Sequence, residues 1–327
     1  MSISAKDVSE LRKATGAGMM DCKEALKESD GDFDGALDFL RKKGQKVAAK
    51  RADREANEGV VVALLNDAGD RGLLLALSSE TDFVAKNDDF IAFASGLAQL
   101  AMDNNADSKE AVLALPYEGS TVAEKLVEKT GVIGEKIEIS DFQTVSGENI
   151  SSYIHAGSKI GVLVSFKDGG NAEAPSFFRS VAMHIAAMSP SILRPEEFDE
   201  DFVQKESEAL RAQIISENEL NERENLGKAQ KNVPQFASRR QLTDEVLAAA
   251  EEAIKAELKA EGKPEKIWDK IVPGKLERFI SDNTLLDQER CLLSQTYALD
   301  DTKTVEAAIK ALADDAEIVA FRRVSVG

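Results

Sequence analysis

Residues able to do chemistry are few in this 327-residue chain, and their spacing does not suit catalysis. A hydrolase or transferase needs a nucleophile paired with a base, or a metal cluster. The two histidines, His155 and His184, fall outside any HxxxH or HExxH spacing, and His184 sits among Ala and Met residues that mark a packed core position. The two cysteines, Cys22 and Cys291, form no CxxC pair, disulfide framework or zinc site, which fits a reducing cytoplasm. There is no GxxxxGK[ST] loop and no strand-linked GxGxxG, so the chain has no phosphate cradle of its own. Asp30-Gly31-Asp32-Phe33-Asp34-Gly35 opens like a calcium loop, but the twelfth position is Arg41, whose guanidinium cannot complete an oxygen shell. Those aspartates read instead as a turn and helix caps. The expectation is a protein without enzymatic activity, cofactor or metal. One segment stands apart. Ser79-Glu80-Thr81-Asp82-Phe83-Val84-Ala85-Lys86-Asn87 follows a buried strand and precedes a helix, where a rigid scaffold presents functional loops. Asp82-Phe83 would set a carboxylate beside an aromatic wedge; the alternative is Phe83 packed inward and Asp82 capping a helix.

The elements around that segment are legible from periodicity. Three short helices fill the first 44 residues. Ser4 with Asp7 resembles a capping box for the first, and Thr15-Gly16-Ala17-Gly18 is a turn. The second starts near Met19 with Cys22, Ala25 and Leu26 along one stripe; the third carries Phe33, Ala36, Leu37 and Leu40 and is closed by Gly44. A charged, helical connector spans Gln45 to Glu58. Val60–Leu65 and Leu73–Leu77 then read as a hairpin buried on both faces, followed by a helix with Phe90, Phe93, Ala94, Leu97 and Ala98 on one side. A shift of 88 residues sets that stripe on Phe178, Val181, Ala182, Ile185 and Ala186, and a shift of 89 sets Gly72-Leu73-Leu74-Leu75 on Gly161-Val162-Leu163-Val164. Two similar α+β subdomains follow from this repetition.

From about Glu196 to Asn283 the chain is polar and helical. Its narrow stripe Leu247, Ala250, Ile254, Leu258, a tip at Glu261-Gly262-Lys263-Pro264 and a return helix with Ile267, Trp268 and Ile271 suit an antiparallel helical hairpin. Asn218 to Arg240 lacks periodicity and reads as a loop or broken helix. A helix over Val305–Leu312 and a strand over Ile318–Val326 end the chain, the strand rejoining the second sheet.

Net charge is −18, which disfavours non-specific nucleic-acid binding because phosphate repels such a surface. Residues 1–54 carry +2, with Arg41, Lys42, Lys43, Lys46, Lys50, Arg51 and Arg54 in a basic run that is either a docking surface for an acidic partner or a solvated helix face. No apolar run approaches the ~20 residues of a membrane span, and Met1 to Asp7 lacks a secretion-signal pattern.

Four stretches resemble the bacterial elongation factor Ts family. They are Leu11 through Leu26 (LRKATGAGMMDCKEAL), Thr81 through Lys86 (TDFVAK), His155 through Val164 (HAGSKIGVLV) and Ala182 through Ala187 (AMHIAA), all in the family's order. The resemblance implies a ubiquitin-associated-like N-terminal bundle, a core of two related α+β subdomains, each an antiparallel sheet with helices, and an inserted antiparallel coiled-coil hairpin. The expected boundaries are 1–55, 56–145, 146–195 with 283–327, and 196–282 for the insertion. It also implies a guanine-nucleotide exchange factor that binds the GTPase elongation factor Tu, disturbs its magnesium and phosphate site, and carries it from the GDP form to a nucleotide-free complex. The matching contact residues are Met19, Met20 and Lys23 on the second helix, Thr81, Asp82, Phe83 and Val84, the loop residues Ile133 and Gly134, and His155. Direct contact with nucleic acid or membrane is not expected; a homo-oligomer or a 2:2 complex stays open. The insertion around Asn218–Arg240 is longer than is usual for the family, and the chain ends at Val326-Gly327 where some members carry a further helix. Two other readings remain: a helical adaptor for a different partner, and a metal-dependent enzyme using the many carboxylates, which the shortage of histidine ligands disfavours.

Overall fold

The computed structural model describes residues 3–224 and 227–327, so short parts of the 1–7 and 218–240 readings lie outside the described residues. The fold is α+β. The chain divides into two compact units, Met1–Ala186 with Asp315–Gly327, and Ala187–Asp314.

In the first unit, α1 (Ala5–Thr15), α2 (Met19–Glu28) and α3 (Phe33–Arg51) make a three-helix bundle around Val8, Leu11, Cys22, Ala25, Leu26 and Ala36. Ser4 and Asp7 form the capping box of α1, and Asp32 caps α3 by accepting the Gly35 N–H. Gly44 does not end α3. It lies mid-helix because the bundle crosses a later helix there, and a Cβ on that helix's Gly131 would fall within contact of the Gly44 Cα. Phe33, at the start of α3, is exposed rather than part of the buried stripe.

Next come β1 (Glu58–Leu65), β2 (Arg71–Ser79), the four-residue α4 (Asp82–Ala85) and α5 (Asp88–Asp103), whose N-terminus is capped by Asn87. After α6 (Lys109–Ala114), a short hairpin of β3 (Pro116–Tyr117) and β4 (Ser120–Thr121) leads into α7 (Val122–Ile133) and β5 (Glu138–Ser146). β2 lies between β1 and β5 and is buried along its length, whereas β1 is only partly covered toward Leu65. One face of this sheet packs Val60, Leu73, Leu75 and Leu77 against Phe90, Phe93, Ala94, Leu97 and Ala98 of α5. β6 (Asn149–Ile154), β7 (Ile160–Asp168) and α8 (Ala174–Met188) repeat the plan, with Phe166 stacked on Phe178 at 4.2 Å.

In the second unit, α9 (Glu200–Arg223) is followed by an irregular stretch, then α10 (Asp244–Ala260) and α11 (Trp268–Asp282), which pack together as a hairpin bridged by Lys275 and Glu257 at 2.9 Å. Asn283, buried, accepts the N–H groups of Gln235 and Phe236, fixing the irregular stretch. α12 (Leu285–Arg290), a hairpin of β8 (Thr296–Tyr297) and β9 (Asp300–Thr304), and α13 (Val305–Leu312) complete it.

The chain returns to the first unit as β10 (Ala316–Ser325), giving the strand order β10-β7-β6. Both sheets therefore have a hairpin whose second strand is central and a third strand supplied after intervening helices. The repetition extends further than the 88-residue shift shows: Tyr117 to Val122 and Tyr297 to Val305 are each a short hairpin entering a helix, capped by Thr121 and Thr304. Within the first unit the two sheets meet face to face through Val61, Leu74, Ala76, Val145, Leu163 and Val324. The matched glycines make that approach possible. A Cβ on Gly161 would sit 2.7 Å from Val61 and 2.9 Å from Leu74, and one on Gly72 would sit 3.2 Å from Leu163.

Candidate functional site

The turn that leaves β2 is pinned before it reaches Phe83. Thr81 occupies the N-cap position of α4 with extended backbone, yet its hydroxyl does not cap the helix. It donates instead to Glu135 Oε1 at 2.8 Å, while the Thr81 N–H donates to Glu135 Oε2 at 3.0 Å. Glu80 reaches the other way. It accepts the Lys136 N–H at 2.7 Å and the Arg51 guanidinium at 2.8 Å, and the Lys136 N–H foremost holds its carboxyl below the ordinary range. Ser79 Oγ donates to the Thr81 carbonyl at 3.0 Å.

On this footing α4 turns Phe83 outward, 84% exposed. An aromatic that open takes no part in core packing. Val84, one position on, packs against the hydrophobic core beneath α5, so it anchors the turn rather than joining the exposed surface. Asp82 does not cap a neighbouring helix. Its Oδ2 accepts from Lys86 Nζ at 2.6 Å, a bond that holds the Asp82 carboxyl below its usual range, with Lys159 close enough to add to the effect. Lys159 itself pairs with Glu58 at 2.7 Å.

Ile133 and Gly134 end α7. Gly134 takes the left-handed conformation, φ 80°, and donates its N–H to the Thr130 carbonyl. Thr130 Oγ1, buried, accepts the Ile137 N–H at 3.1 Å, so the turn is braced from both sides, and Ile133 is left exposed. His155 lies in the turn between β6 and β7, exposed, with Nδ1 3.0 Å from the Tyr153 hydroxyl and its backbone N–H donated to the Ile160 carbonyl.

On α2, Met19 and Met20 are 61% and 75% exposed, and Lys23 is exposed beside them. Together with Ile3, Val8 and Arg12 they line a groove of about 410 Å³ between α1 and α2. The Cys22 thiol faces inward, pushed up by burial, and is inert. Part of the basic run is spent internally: Arg41 on Glu128, Lys43 on Asp21 and Glu24, Arg51 on Glu80.

These pieces are neighbours in series. Met19 follows the Gly16 turn, Gly16 abuts Val132, Val132 leads through Ile133 and Gly134 to Glu135, Glu135 holds Thr81, and Asp82 faces Lys159, beside His155. The holding roles of Glu80, Glu135, Lys86 and Lys159 escape sequence reasoning, since nothing local separates them from the other members of the 59 acidic and 41 basic residues of the chain, and Tyr153 shows its bond to His155 only in the fold. Among the described residues no group of three His, Cys, Asp or Glu could hold a metal ion, and no helix is long and apolar enough to cross a membrane. The arrangement presents an open aromatic ring, exposed aliphatic side chains and charge.

A family model described as Elongation factor TS matches residues 80–233 and 228–327. The chain is 71% identical over 325 residues to Elongation factor Ts of Rhodopirellula baltica, covering 99% of both chains. It is 50% identical over 326 residues to Elongation factor Ts of Flavobacterium johnsoniae, covering 100% of this chain and 99% of the other. Against Elongation factor Ts of Helicobacter pylori the identity is 44% over 335 residues, with 99% and 94% covered. The family match begins at Glu80 and so includes the Thr81–Val84 turn, Ile133, Gly134 and His155; the full-length relatives extend over Met19, Met20 and Lys23.

Proposed function

Since the chain belongs to the elongation factor Ts family, we propose that it is a guanine-nucleotide exchange factor, binding elongation factor Tu and speeding release of its GDP. As a member of that family it is a translation elongation factor. The observation that carries the finer reading is the open ring of Phe83 on a turn tied down at its base.

A GTPase holds GDP through backbone amides around the phosphates and a magnesium ion bridging phosphate to protein. The N-terminal bundle grips the partner through Met19, Met20 and Lys23. Phe83 and Ile133 enter beside the nucleotide site, and Asp82, exchanging its Lys86 partner, perturbs the cation's surroundings. Losing the ion leaves the phosphate charge less compensated, and GDP departs faster. The exchange is reciprocal by linkage: GDP weakens this protein's hold on the GTPase by the same factor.

Magnitudes decide how many contacts are needed. A 10⁴-fold shift takes about 5.5 kcal/mol of differential binding, and burying one Phe supplies about 1.5–3 kcal/mol. Phe83 alone is therefore insufficient. Met19, Met20 and Ile133 have to add their share.

The test is release of fluorescent GDP from purified elongation factor Tu with and without this chain. Release should accelerate by orders of magnitude and saturate with added chain, and excess GDP with magnesium should dissociate the complex. An unchanged off-rate rejects the reading.

A further inference from the structure

The two carboxylates at the base of the Phe83 turn are exchanged between loops. Glu80, before α4, reaches the backbone N–H of Lys136, and Glu135, before β5, reaches the backbone N–H of Thr81. This is a reciprocal clasp with the logic of a capping box, made across 54 residues rather than three. The two arms differ. Glu80 also binds Arg51 at the end of α3, so it serves the packing of the bundle as well. Glu135 places both oxygens on Thr81 alone, one on the N–H and one on the hydroxyl.

What Thr81 does next explains why that matters. α4 is four residues long, far below the length at which a helix holds itself together. Successive helical residues point about 100° apart, so the angle at which the chain enters α4 decides whether Phe83 or Val84 faces out. Val84 faces the core and Phe83 faces solvent because the entry residue is fixed. The geometry points to Glu135 as the positioning residue for Phe83. By clamping Thr81 it joins the Phe83 turn to the Ile133–Gly134 turn, so that two loops meet the partner as one preorganised surface. This rests on the reading of Phe83 as the wedge, and it adds that the wedge is set before the partner arrives. Preorganisation of this kind removes the cost of ordering a loop on binding.

The clasp is tested with the full chain in two measurements on Glu135→Ala, with Glu135→Gln as its conservative counterpart. In the free protein, amide hydrogen exchange at Thr81 should quicken by about tenfold or more in Glu135→Ala, as expected for a lost charge-assisted bond. Glu135→Gln can still accept the N–H and donate to the hydroxyl, and should stay near wild type. In GDP release from the partner GTPase, Glu135→Ala should slow the maximal rate by about five- to tenfold with Phe83 present and by less than about twofold in a Phe83→Ala background, because positioning has no object once the ring is gone. Equal losses in both backgrounds, or unchanged Thr81 exchange, overturn the assignment. Should Phe83→Ala alone leave release at the wild-type rate, the wedge reading fails, and Thr81 exchange still decides the clasp. If Glu135→Ala does not fold, Thr81→Val, which keeps the N–H and loses the hydroxyl, should show the same background dependence at smaller size; equal losses there overturn the assignment as well.

Discussion

The turn from β2 to α5 and the turn from β7 to α8 leave matching central strands and enter helices with matching buried stripes. The first carries an exposed aromatic, a short helix and two carboxylates reaching in from, and out to, a second loop. The second is Asp168-Gly169-Gly170-Asn171, closed by local bonds such as Gly170 N–H to Asp168 Oδ1 at 2.9 Å and Glu173 N–H to Asn171 Oδ1 at 2.9 Å. It bears no large apolar residue. A shared scaffold has thus been given one turn that closes the chain economically and one that presents a side chain at the expense of extra long-range bonds. Fold-level similarity explains the strands and helices, and under the proposed function only the first of these two turns supplies a contact.

The difference can be tested by treating both turns alike. A charge at the ring position should do the most damage: Phe83→Glu should cut GDP release from the partner by about a hundredfold or more, since a carboxylate resists entry into a dry contact. Ala172→Glu, on the exposed part of the second turn, should leave release unchanged. If both substitutions act equally, the turns do not differ in function. Next in size, Ile133→Ala should slow release by about three- to tenfold, in keeping with a partly exposed aliphatic contact. Gly170→Ala should instead act on stability. Its φ of 72° strains a Cβ-bearing residue although the space is open, so unfolding should ease by about 1 kcal/mol, a melting point a few degrees lower, with exchange unaffected.

The smallest effect concerns pH. Glu80 is held ionised by the Lys136 N–H and by Arg51, so its folded pKa lies below the unfolded value of about 4.5. Stability from such a group is present above the unfolded pKa and is lost as pH falls through the folded one. Glu80→Gln should therefore cost about 0.5–1 kcal/mol at pH 7. Urea unfolding of the two proteins should converge as the pH drops below about 4.5. A gap that does not narrow at all as the pH falls below about 4.5 would mean that the carboxylate's charge is not what the clasp uses.

Much of the scaffold is legible because its signals are local. The stripes from Phe90 and from Phe178, the hairpins, and the caps at Ser4 and Asp32 depend on residues a few positions apart. Gly44 is misread as a helix end because its reason is Gly131, 87 positions away on α7. The recurrence of Tyr117–Val122 as Tyr297–Val305 escapes a fixed shift because the second hairpin, with a turn of the same length, carries extra residues in β9, where the register shifts between the Tyr297–Asp300 and Thr296–Thr304 pairs. At the site, the Ser79–Asn87 segment draws notice by its place after a buried strand, and Met19 and Met20 enter through the family resemblance. The partners that hold the site are invisible to pattern: Glu80 and Glu135 are two acids among 59, and their value comes from a pairing 54 to 56 residues apart. Val84 shows the same limit from the other side, since a motif cannot say which of two adjacent apolar residues turns inward.

The most direct measurement is stopped-flow release of fluorescent GDP from elongation factor Tu driven by wild-type chain and by Phe83→Ala, each checked for an unchanged melting point. Loss of one ring worth about 1.5–3 kcal/mol should lower the maximal rate by about tenfold or more, with the fold intact because Phe83 is 84% exposed. A Phe83→Ala protein that melts normally and releases GDP at the wild-type rate contradicts the account.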